Sequence, residues 1–354
     1  MKNRIIELER FVAACIIVLY HLNKIKAGWI FVEFFFILTG FFLMNHLVLH
    51  KEAIDRDEAW YPLKYTFQKY KSIFPYTTLS IIILWLYLAE VWQLSGTAII
   101  KWLLYLPCDL LLIGGSGMLP YGLVFHGTLS TPRMINVLLW YVSSMLIVMP
   151  IAFALLRNEK RRGLLCTIVP AILYGFLIMR DGRVNGWHDE KFGFVYCNIR
   201  ALAGLLMGAG TWHLAEWWKR REYTRFGKSL LTAIELLTFI IFAGIANTTL
   251  PYDCLEIALI VVSVSLTASG VTYTSFVKCN LFNLLGSWSL AIYCLHKPIM
   301  NICMRWFCED NAYLILAISI AASAIYTYLI NLITNRKKNK GSIVEKLVVK
   351  TTES

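Results

Sequence analysis

The sequence predicts an all-α integral membrane protein, a polytopic bundle of about ten transmembrane helices. Of its 354 residues, 58% are hydrophobic and only 16% are charged, whereas a soluble domain usually carries about 25% charged residues. A water-soluble fold of this length would have too little polar surface to cover that apolar excess. The composition therefore excludes a soluble enzyme, a disordered chain and a secreted domain held together by disulfides.

Apolar segments of helix-spanning length give the second observation. About 20 apolar residues are needed for a helix to cross the hydrocarbon core, and ten segments meet this requirement: 8–27, 29–48, 73–93, 134–156, 163–180, 192–213, 229–247, 253–273, 285–303 and 311–333. An eleventh, 98–117, contains Lys101, Pro107 and Asp109, and we expect it to be re-entrant or interfacial. Residues 51–72 mix aromatic and basic side chains, which predicts an amphipathic stretch on the inner surface.

The distribution of basic residues is the third observation. With ten spans and a cytoplasmic N-terminus, 24 of the 34 Lys and Arg residues fall on the cytoplasmic side, as the positive-inside rule requires. Both termini are then cytoplasmic, residues 1–333 form the membrane domain, and 334–354 form a polar, mobile cytoplasmic tail. The net charge of +12 is mainly a topology signal, so we expect contacts with membrane lipids and no binding of nucleic acid.

The nine cysteines lie mostly in or beside apolar segments without the pair spacing of a metal site. They are predicted to be small buried apolar residues. We therefore expect no metal site and no bound cofactor.

Two ionisable residues of the first helix carry the functional prediction. Arg10 and His21 are 11 positions apart, so they lie on one helical face within about 20° and about 16 Å apart along the axis. A cation near the cytoplasmic end with an imidazole deeper on the same face suits a ligand whose anionic part stays near that end. The alternatives are an Arg10 that reaches the head groups as an anchor and a His21 that only packs.

Other polar residues within spans are further site candidates, because buried ionisable groups are costly in a membrane. Glu33 is predicted to orient the base His21, with a solvated acid at the outer edge as the alternative. Arg200 needs an anionic partner or ligand. Thr39 is explained equally by helix packing and by substrate contact. A later cluster, 285–298, adds Ser289, Tyr293 and His296 beside a helix-bending proline.

In order along the chain, these motifs resemble those of the acyltransferase-3 family, bacterial integral-membrane proteins that acylate cell-surface polysaccharides. The resemblance comprises the R-x10-H spacing of Arg10 and His21 and the sequences VEFF at 32–35, LTGF at 38–41, LWYVS at 139–143, RALAGLLMG at 200–208 and LGSWSLAIYCLHKP at 285–298. Thr39 stands where the family usually has Ser, and Leu290 where it has an aromatic residue.

The resemblance implies a reaction and roles for these residues. The acyl group, acetyl in most members, would pass from acetyl-CoA to a hydroxyl of a surface polysaccharide or its lipid-linked precursor, in the bacterial inner membrane. Arg10 and Arg200 would bind the donor, and His21 would act as general base or as a transient acyl carrier. The alternatives are a transporter or flippase and a polymerase of a glycan pathway. A structural scaffold would leave the buried Arg and His residues unexplained.

Overall fold

The computed structural model describes residues 3–56, 59–94, 96–114, 134–185, 193–307 and 311–352. All regular secondary structure in these residues is helical. The helices are α1 (Arg4–His21), α2 (Phe31–Leu49), α3 (Lys51–Arg56), α4 (Tyr61–Val91), α5 (Thr97–Leu110), α6 (Trp140–Arg157), α7 (Arg162–Asp181), α8 (Gly193–Lys219), α9 (Arg225–Ile245), α10 (Asp253–Ser269), α11 (Asn280–Trp306) and α12 (Ala312–Thr352).

Local sequence signals explain where several helices begin and end. Asn3 caps α1 by accepting a hydrogen bond from the Ile5 N–H, at 2.9 Å, and Thr224 caps α9 in the same way. Gly182 and Gly270 end α7 and α10 with φ of +71°, a conformation that costs glycine little and other residues more.

Within the described residues, six segments are long and apolar enough to cross a membrane: Gly28–Leu49, Tyr61–Val91, Val137–Arg157, Glu159–Asp181, Arg225–Ile245 and Ala312–Thr334. These correspond to six of the ten predicted spans. The other four form α1, α8, α10 and α11, and the count of about ten is not confirmed. The reason is physical, since α10 has only 17 residues and the other three helices contain charged or polar residues. Four charged residues lie in α1, Arg200 lies in α8, and His296 and Lys297 lie in α11.

Exposed apolar faces show that the bundle is built for lipid. On α7, Leu164, Ile168 and Ile172 are exposed at a spacing of four residues, so they form one stripe along the helix. On α9, Leu237 and Ile241 are exposed in the same way. A soluble protein rarely leaves such continuous apolar surface in water, and the chain is therefore a multi-pass membrane protein.

The segments at the edge of the bundle differ in part from prediction. The helix α4 begins at Tyr61, about twelve residues before the predicted span 73–93, so most of the predicted surface stretch 51–72 belongs to α3 and to the first turns of α4. The helix α5 has 14 residues, about 21 Å, which is too short to cross. This agrees with a segment that does not span, although residues 115–117 of the predicted segment lie outside the described residues.

The polar C-terminal segment is helical in the structure. Residues 334–352 continue α12 to Thr352 as one helix, so the structure has no break at the predicted boundary of a mobile tail. The segment contains residues such as Lys, Arg and Glu that have good helical propensity, and composition alone did not distinguish a helical extension from a coil.

The core of the bundle is formed by α1, α2, α6, α8 and α11, with α4, α7, α9, α10 and α12 packed around it. The tightest contact is between α2 and α8. A Cβ on Gly40 would lie 2.7 Å from the Cα of Leu205, and a Cβ on Gly208 would lie 2.8 Å from the backbone nitrogen of Phe41. Small residues thus let two backbones approach closely, as in other membrane helix pairs.

Candidate active site

The helices α1 and α11 run side by side in the same direction, and this pairing builds the site. Near their N-terminal ends, a Cβ on Gly286 would lie 2.8 Å from the Cα of Glu7, so only glycine permits this approach. Near the other end, the rings of His21 and His296 stack with centroids 5.3 Å apart and planes 26° apart. The alignment therefore sets Arg10 beside the start of the 285–298 cluster and His21 beside its end.

A cavity of about 260 Å³ lies beside this pair of helices. It is lined by four of the predicted site residues, Arg10, Thr39, Ser289 and Tyr293. Phe35, Leu38, Phe42, Val142 and Met145 make most of the remaining wall apolar. Such a mainly apolar cleft with a few polar groups is the usual form of a small-molecule site.

Positive charge is concentrated at one part of the wall. Arg10 forms an ion pair with Glu7 on its own helix, with Nη1 2.8 Å from Oε2, and its side chain is 28% exposed. Lys69 of α4 lines the same cavity, a position that was not predicted from the sequence. Two cations at one cavity, only one of them paired with a described carboxylate, leave net positive charge available to an anionic ligand.

A second cavity, of about 440 Å³, shares Phe42 and Lys69 with the first. Its other lining residues are Asn45, His46, Leu49, His50, Tyr65 and Gln68. The two cavities together extend from the start of α4 past Arg10 towards Tyr293. The two cavities therefore adjoin at Phe42 and Lys69.

The histidine pair lies one helical turn beyond Tyr293. His296 is 1% exposed, and its Nδ1 lies 2.7 Å from the carbonyl oxygen of Tyr293. The carbonyl only accepts, so Nδ1 carries the hydrogen, and Nε2 is the nitrogen with the free lone pair. That Nε2 is buried and has no hydrogen-bond partner among the described residues. Two imidazoles therefore meet beyond the cavity, and one has a bare acceptor nitrogen.

Pro298 explains why the backbone near His296 is held by other helices. Proline has no N–H, so the carbonyl of Cys294, four residues earlier, lacks its helical donor. The Ser80 hydroxyl donates to that carbonyl at 2.5 Å, and the Asn136 amide donates to it at 3.4 Å and to the Ser80 oxygen at 2.7 Å. This buried network fixes the turn of α11 that carries His296.

Glu33 and Arg200 lie elsewhere, as a buried ion pair. The Arg200 Nε–H donates to Glu33 Oε1, and the Tyr174 hydroxyl donates to Glu33 Oε2. The side chain of Glu33 is 0% exposed and that of Arg200 is 1% exposed. No hydrogen bond joins Glu33 to His21 among the described residues, so the structure does not support the predicted orienting contact, because both carboxylate oxygens are already used.

Arg200 has several other partners within the protein. Besides Glu33, it donates to the Trp29 carbonyl and to Asn185 Oδ1, each at 3.3 Å, and its guanidinium lies 5.0 Å from the Trp140 ring centroid. It does not line the cavity that contains Arg10. The anionic partner of Arg200 in the structure is the Glu33 carboxylate, and its role in donor binding stays a prediction.

The remaining predicted residues use their hydroxyls locally. Thr39 donates to the Phe35 carbonyl at 2.7 Å, and Ser289 donates to the Gly286 carbonyl at 2.8 Å. The Tyr293 hydroxyl donates to the Leu138 carbonyl, while its ring forms a T-shaped contact with Tyr141, with centroids 5.5 Å apart. These side chains shape the cavity wall and are not positioned as nucleophiles.

Sequence reasoning missed several residues of this region. Lys69 was grouped with the basic residues that contact lipid, although the structure places it at the cavity. The available signal was its position in an amphipathic segment directly before an apolar span. Tyr141 belonged to a recognised motif but was given no role. Ser80 and Asn136 had no sequence signal, because their task, satisfying a carbonyl freed by Pro298, arises from contacts between distant segments.

Comparison with known proteins gives one match. A family model described as an acyltransferase domain, that of the acyltransferase-3 family, matches residues 3–334, nearly the whole chain. No curated protein and no solved structure matches the chain. With its apolar, lipid-facing helices, the chain belongs to the acyltransferase-3 family and is a multi-pass membrane acyltransferase.

Proposed function

We propose that the protein transfers an acetyl group from acetyl-CoA to a hydroxyl of a cell-surface polysaccharide or its lipid-linked precursor, in the bacterial inner membrane. The observation that carries this proposal is the order of groups along α1 and α11. A cationic cavity with Arg10 and Lys69 is followed by Tyr293 and then by the His21–His296 pair. This order matches a donor with an anionic body and a reactive thioester at its tip.

The cations would hold the donor through its phosphates. Arg10 presents a planar guanidinium and Lys69 a compact ammonium, and both types of group bind phosphate oxygens. The second cavity, with Asn45 and Gln68, offers hydrogen-bonding groups to the polar body of the donor. The apolar wall around Phe35 and Met145 would keep water from the thioester and so limit its hydrolysis.

The histidine pair would supply the proton transfer. The acceptor hydroxyl attacks the thioester carbonyl, its proton passes to a His21 nitrogen, the C–O bond forms and the C–S bond breaks. The proton then passes to the departing CoA sulfur, which gives acetylated acceptor and CoA thiol. His296 packs against His21 and restricts its ring plane, as a base needs a fixed orientation. General-base catalysis of this type contributes about 10²–10⁴-fold to a rate.

The test is an acetyl-transfer assay with purified protein in lipid nanodiscs, radiolabelled acetyl-CoA and lipid-linked glycan extracted from the source membranes. We expect His21→Ala to lower kcat by about 10²-fold or more. The matched control is His213→Ala on α8, an exposed histidine whose ring contacts Trp212 and which does not line the cavity. A His21→Ala protein that acetylated at the normal rate would contradict the proposal.

The same preparation separates the alternative functions. A transporter or flippase would move labelled substrate across a liposome membrane without forming an ester, and a polymerase would lengthen the glycan. Mass analysis of the glycan distinguishes an acetyl ester from an added sugar. Movement or elongation without acetylation would overturn the proposal in favour of one of those classes.

A further inference from the structure

One hydroxyl group in the first cavity, of about 260 Å³, differs from the others in the acceptor that it faces. Five hydroxyl side chains line that cavity, namely Thr39, Ser72, Tyr141, Ser289 and Tyr293. Four of them donate to backbone carbonyl oxygens of the protein. The fifth, that of Tyr141, donates instead to the thioether sulfur of Met145, at 3.7 Å.

This difference makes Tyr141 the hydroxyl that a ligand can recruit most easily. Thioether sulfur is a weak hydrogen-bond acceptor, so the Tyr141 hydroxyl loses little when it turns to a stronger one. Each of the other four hydroxyls has a single hydrogen and would lose a bond to oxygen if it turned to a ligand. Tyr141 is therefore the hydroxyl donor of this wall that is available to a carbonyl oxygen in the cavity.

The ring of Tyr141 is held in place by its neighbours. Its centroid lies 4.6 Å from that of Phe36 and 5.5 Å from that of Tyr293, and the residue is 7% exposed. Rotation of the O–H about its bond to the ring is the main freedom that remains. A group ordered in this way loses little entropy when it binds a ligand, so the position of this donor is set before a ligand enters.

Tyr141 lies short of the histidine pair along the cavity. Tyr293 separates them, because its ring contacts Tyr141 and also His296, with centroids 5.9 Å apart for the second contact. Arg10 lines the same cavity as Tyr141, whereas neither histidine does. With the donor phosphates at Arg10 and the thioester at His21, the Tyr141 hydroxyl faces the part of the donor between them.

We propose that the Tyr141 hydroxyl donates a hydrogen bond to an amide carbonyl of the pantetheine arm of the donor, an inference that rests on the proposed function. That arm joins the phosphates of CoA to its sulfur and contains two amides. An amide carbonyl against Phe35, Val142 and Met145 loses its water and needs a replacement donor. Tyr141 is thus a positioning residue that recognises CoA thioesters by their arm, and it takes no part in the proton transfer.

The experiment measures binding of CoA to the purified full chain in lipid nanodiscs by isothermal titration calorimetry, without a transfer step. Tyr141→Phe removes the hydroxyl and keeps the ring, and it is expected to raise the Kd of CoA about three- to tenfold, as for one neutral hydrogen bond. The midpoint of thermal unfolding is expected to stay within about 2 °C of the wild-type value, because the protein loses only the weak bond to Met145. The matched control is Tyr326→Phe, which removes a hydroxyl that donates to the Pro75 carbonyl at 2.8 Å outside both cavities. Its Kd for CoA is expected to equal that of the wild type.

Analogues of CoA identify the group that Tyr141 contacts. In one pair of analogues, either amide of the arm is replaced by two methylene groups; in a second pair, a methylene group replaces only the amide N–H and the carbonyl stays. One analogue of the first pair is expected to bind the wild type about three- to tenfold more weakly than CoA does. The same analogue is expected to bind Tyr141→Phe and wild type equally, because both changes remove the same bond. Its counterpart with the carbonyl is expected to bind the wild type more tightly than the variant.

Three results overturn this inference: an unchanged Kd of CoA in Tyr141→Phe, losses from variant and analogue that multiply at both amides, or carbonyl-containing analogues that bind both proteins equally. Failure of the proposed function gives a different pattern. A wild-type protein that binds no CoA refutes both proposals, whereas Tyr141-dependent binding of CoA without acetyl transfer refutes the function alone. Acetyl transfer together with binding that is independent of Tyr141 refutes this inference alone.

Discussion

Replacement of Arg200 by methionine is expected to lower the free energy of unfolding by about 3–5 kcal/mol and to leave the KM for the acyl donor unchanged. Methionine fills a similar apolar volume but cannot donate to Glu33, Trp29 or Asn185. The Glu33 carboxylate then stays buried with only the Tyr174 hydroxyl as partner. Breaking a buried ion pair from one side typically costs about 3–5 kcal/mol for this reason.

A double-variant cycle tests the physical account of this loss. Glu33→Gln removes the charge that Arg200→Met strands, so the double variant is expected to be less destabilised than the sum of the two single changes, by about 1–3 kcal/mol. Unfolding is followed by reversible denaturation in mixed micelles, with donor KM measured on the folded fraction. Arg225→Met at the exposed start of α9 is the control and is expected to change stability by less than about 0.5 kcal/mol.

Two results would refute this reasoning. If Arg200→Met destabilised by less than about 1 kcal/mol, the pair with Glu33 would not be a core interaction. If stability were unchanged while the donor KM rose about tenfold, Arg200 would be a donor ligand, as the sequence first indicated, and the cavity around Arg10 would be incomplete.

Three further outcomes follow from the site. Arg10→Ala and Lys69→Ala are each expected to raise the donor KM about tenfold or more while lowering kcat less. The measurement is initial rates over a range of acetyl-CoA concentrations. Equal KM values in variant and wild type would contradict the donor assignment. Gly286→Ala is expected to destabilise the fold and lower activity, because its Cβ would lie 2.8 Å from the α1 backbone. The control is Gly244→Ala, which has no atom within 4 Å of its Cβ. It is expected to be neutral or slightly stabilising in thermal unfolding. Asn136→Leu is expected to lower the free energy of unfolding by about 1–3 kcal/mol in denaturant, because it removes a donor to the Cys294 carbonyl that Pro298 leaves free. A neutral effect would show that Ser80 alone satisfies that carbonyl.

Several features of the fold could be predicted from single segments. Apolar runs identified six helices that are able to cross the membrane, and the spacing of Arg10 and His21 correctly placed both on α1. The short α5 agreed with a segment that does not span. Helix ends were less predictable, as at Tyr61 and Thr352, because amphipathic or charged residues extend a helix without the apolar signal that defines a span.

The partners of the buried charges could not be predicted. Glu33 is close in sequence to His21, and this favoured a contact between them, but the carboxylate binds Arg200, 167 positions away. Lys69 was grouped with basic residues that contact lipid, although the packing of α4 brings it to the cavity. Each case depends on which helix faces lie together, and hydrophobic periodicity within one helix contains no information on that choice.

The sequence by itself determined that this chain lies in a membrane as helices, that α1 carries a cation and an imidazole on one face, and that it is an acyltransferase of a known family. Composition and spacing are local properties that were sufficient for the first two conclusions, whereas the third rests on the resemblance of the ordered motifs to that family and on the family match. Only the tertiary structure decided that Arg10 and Lys69 line the same cavity, that His21 stacks on His296, and that Arg200 is neutralised by Glu33. The physical reason is that a buried charge takes its partner from whichever distant helix packs against it, and helix packing is set by the whole bundle.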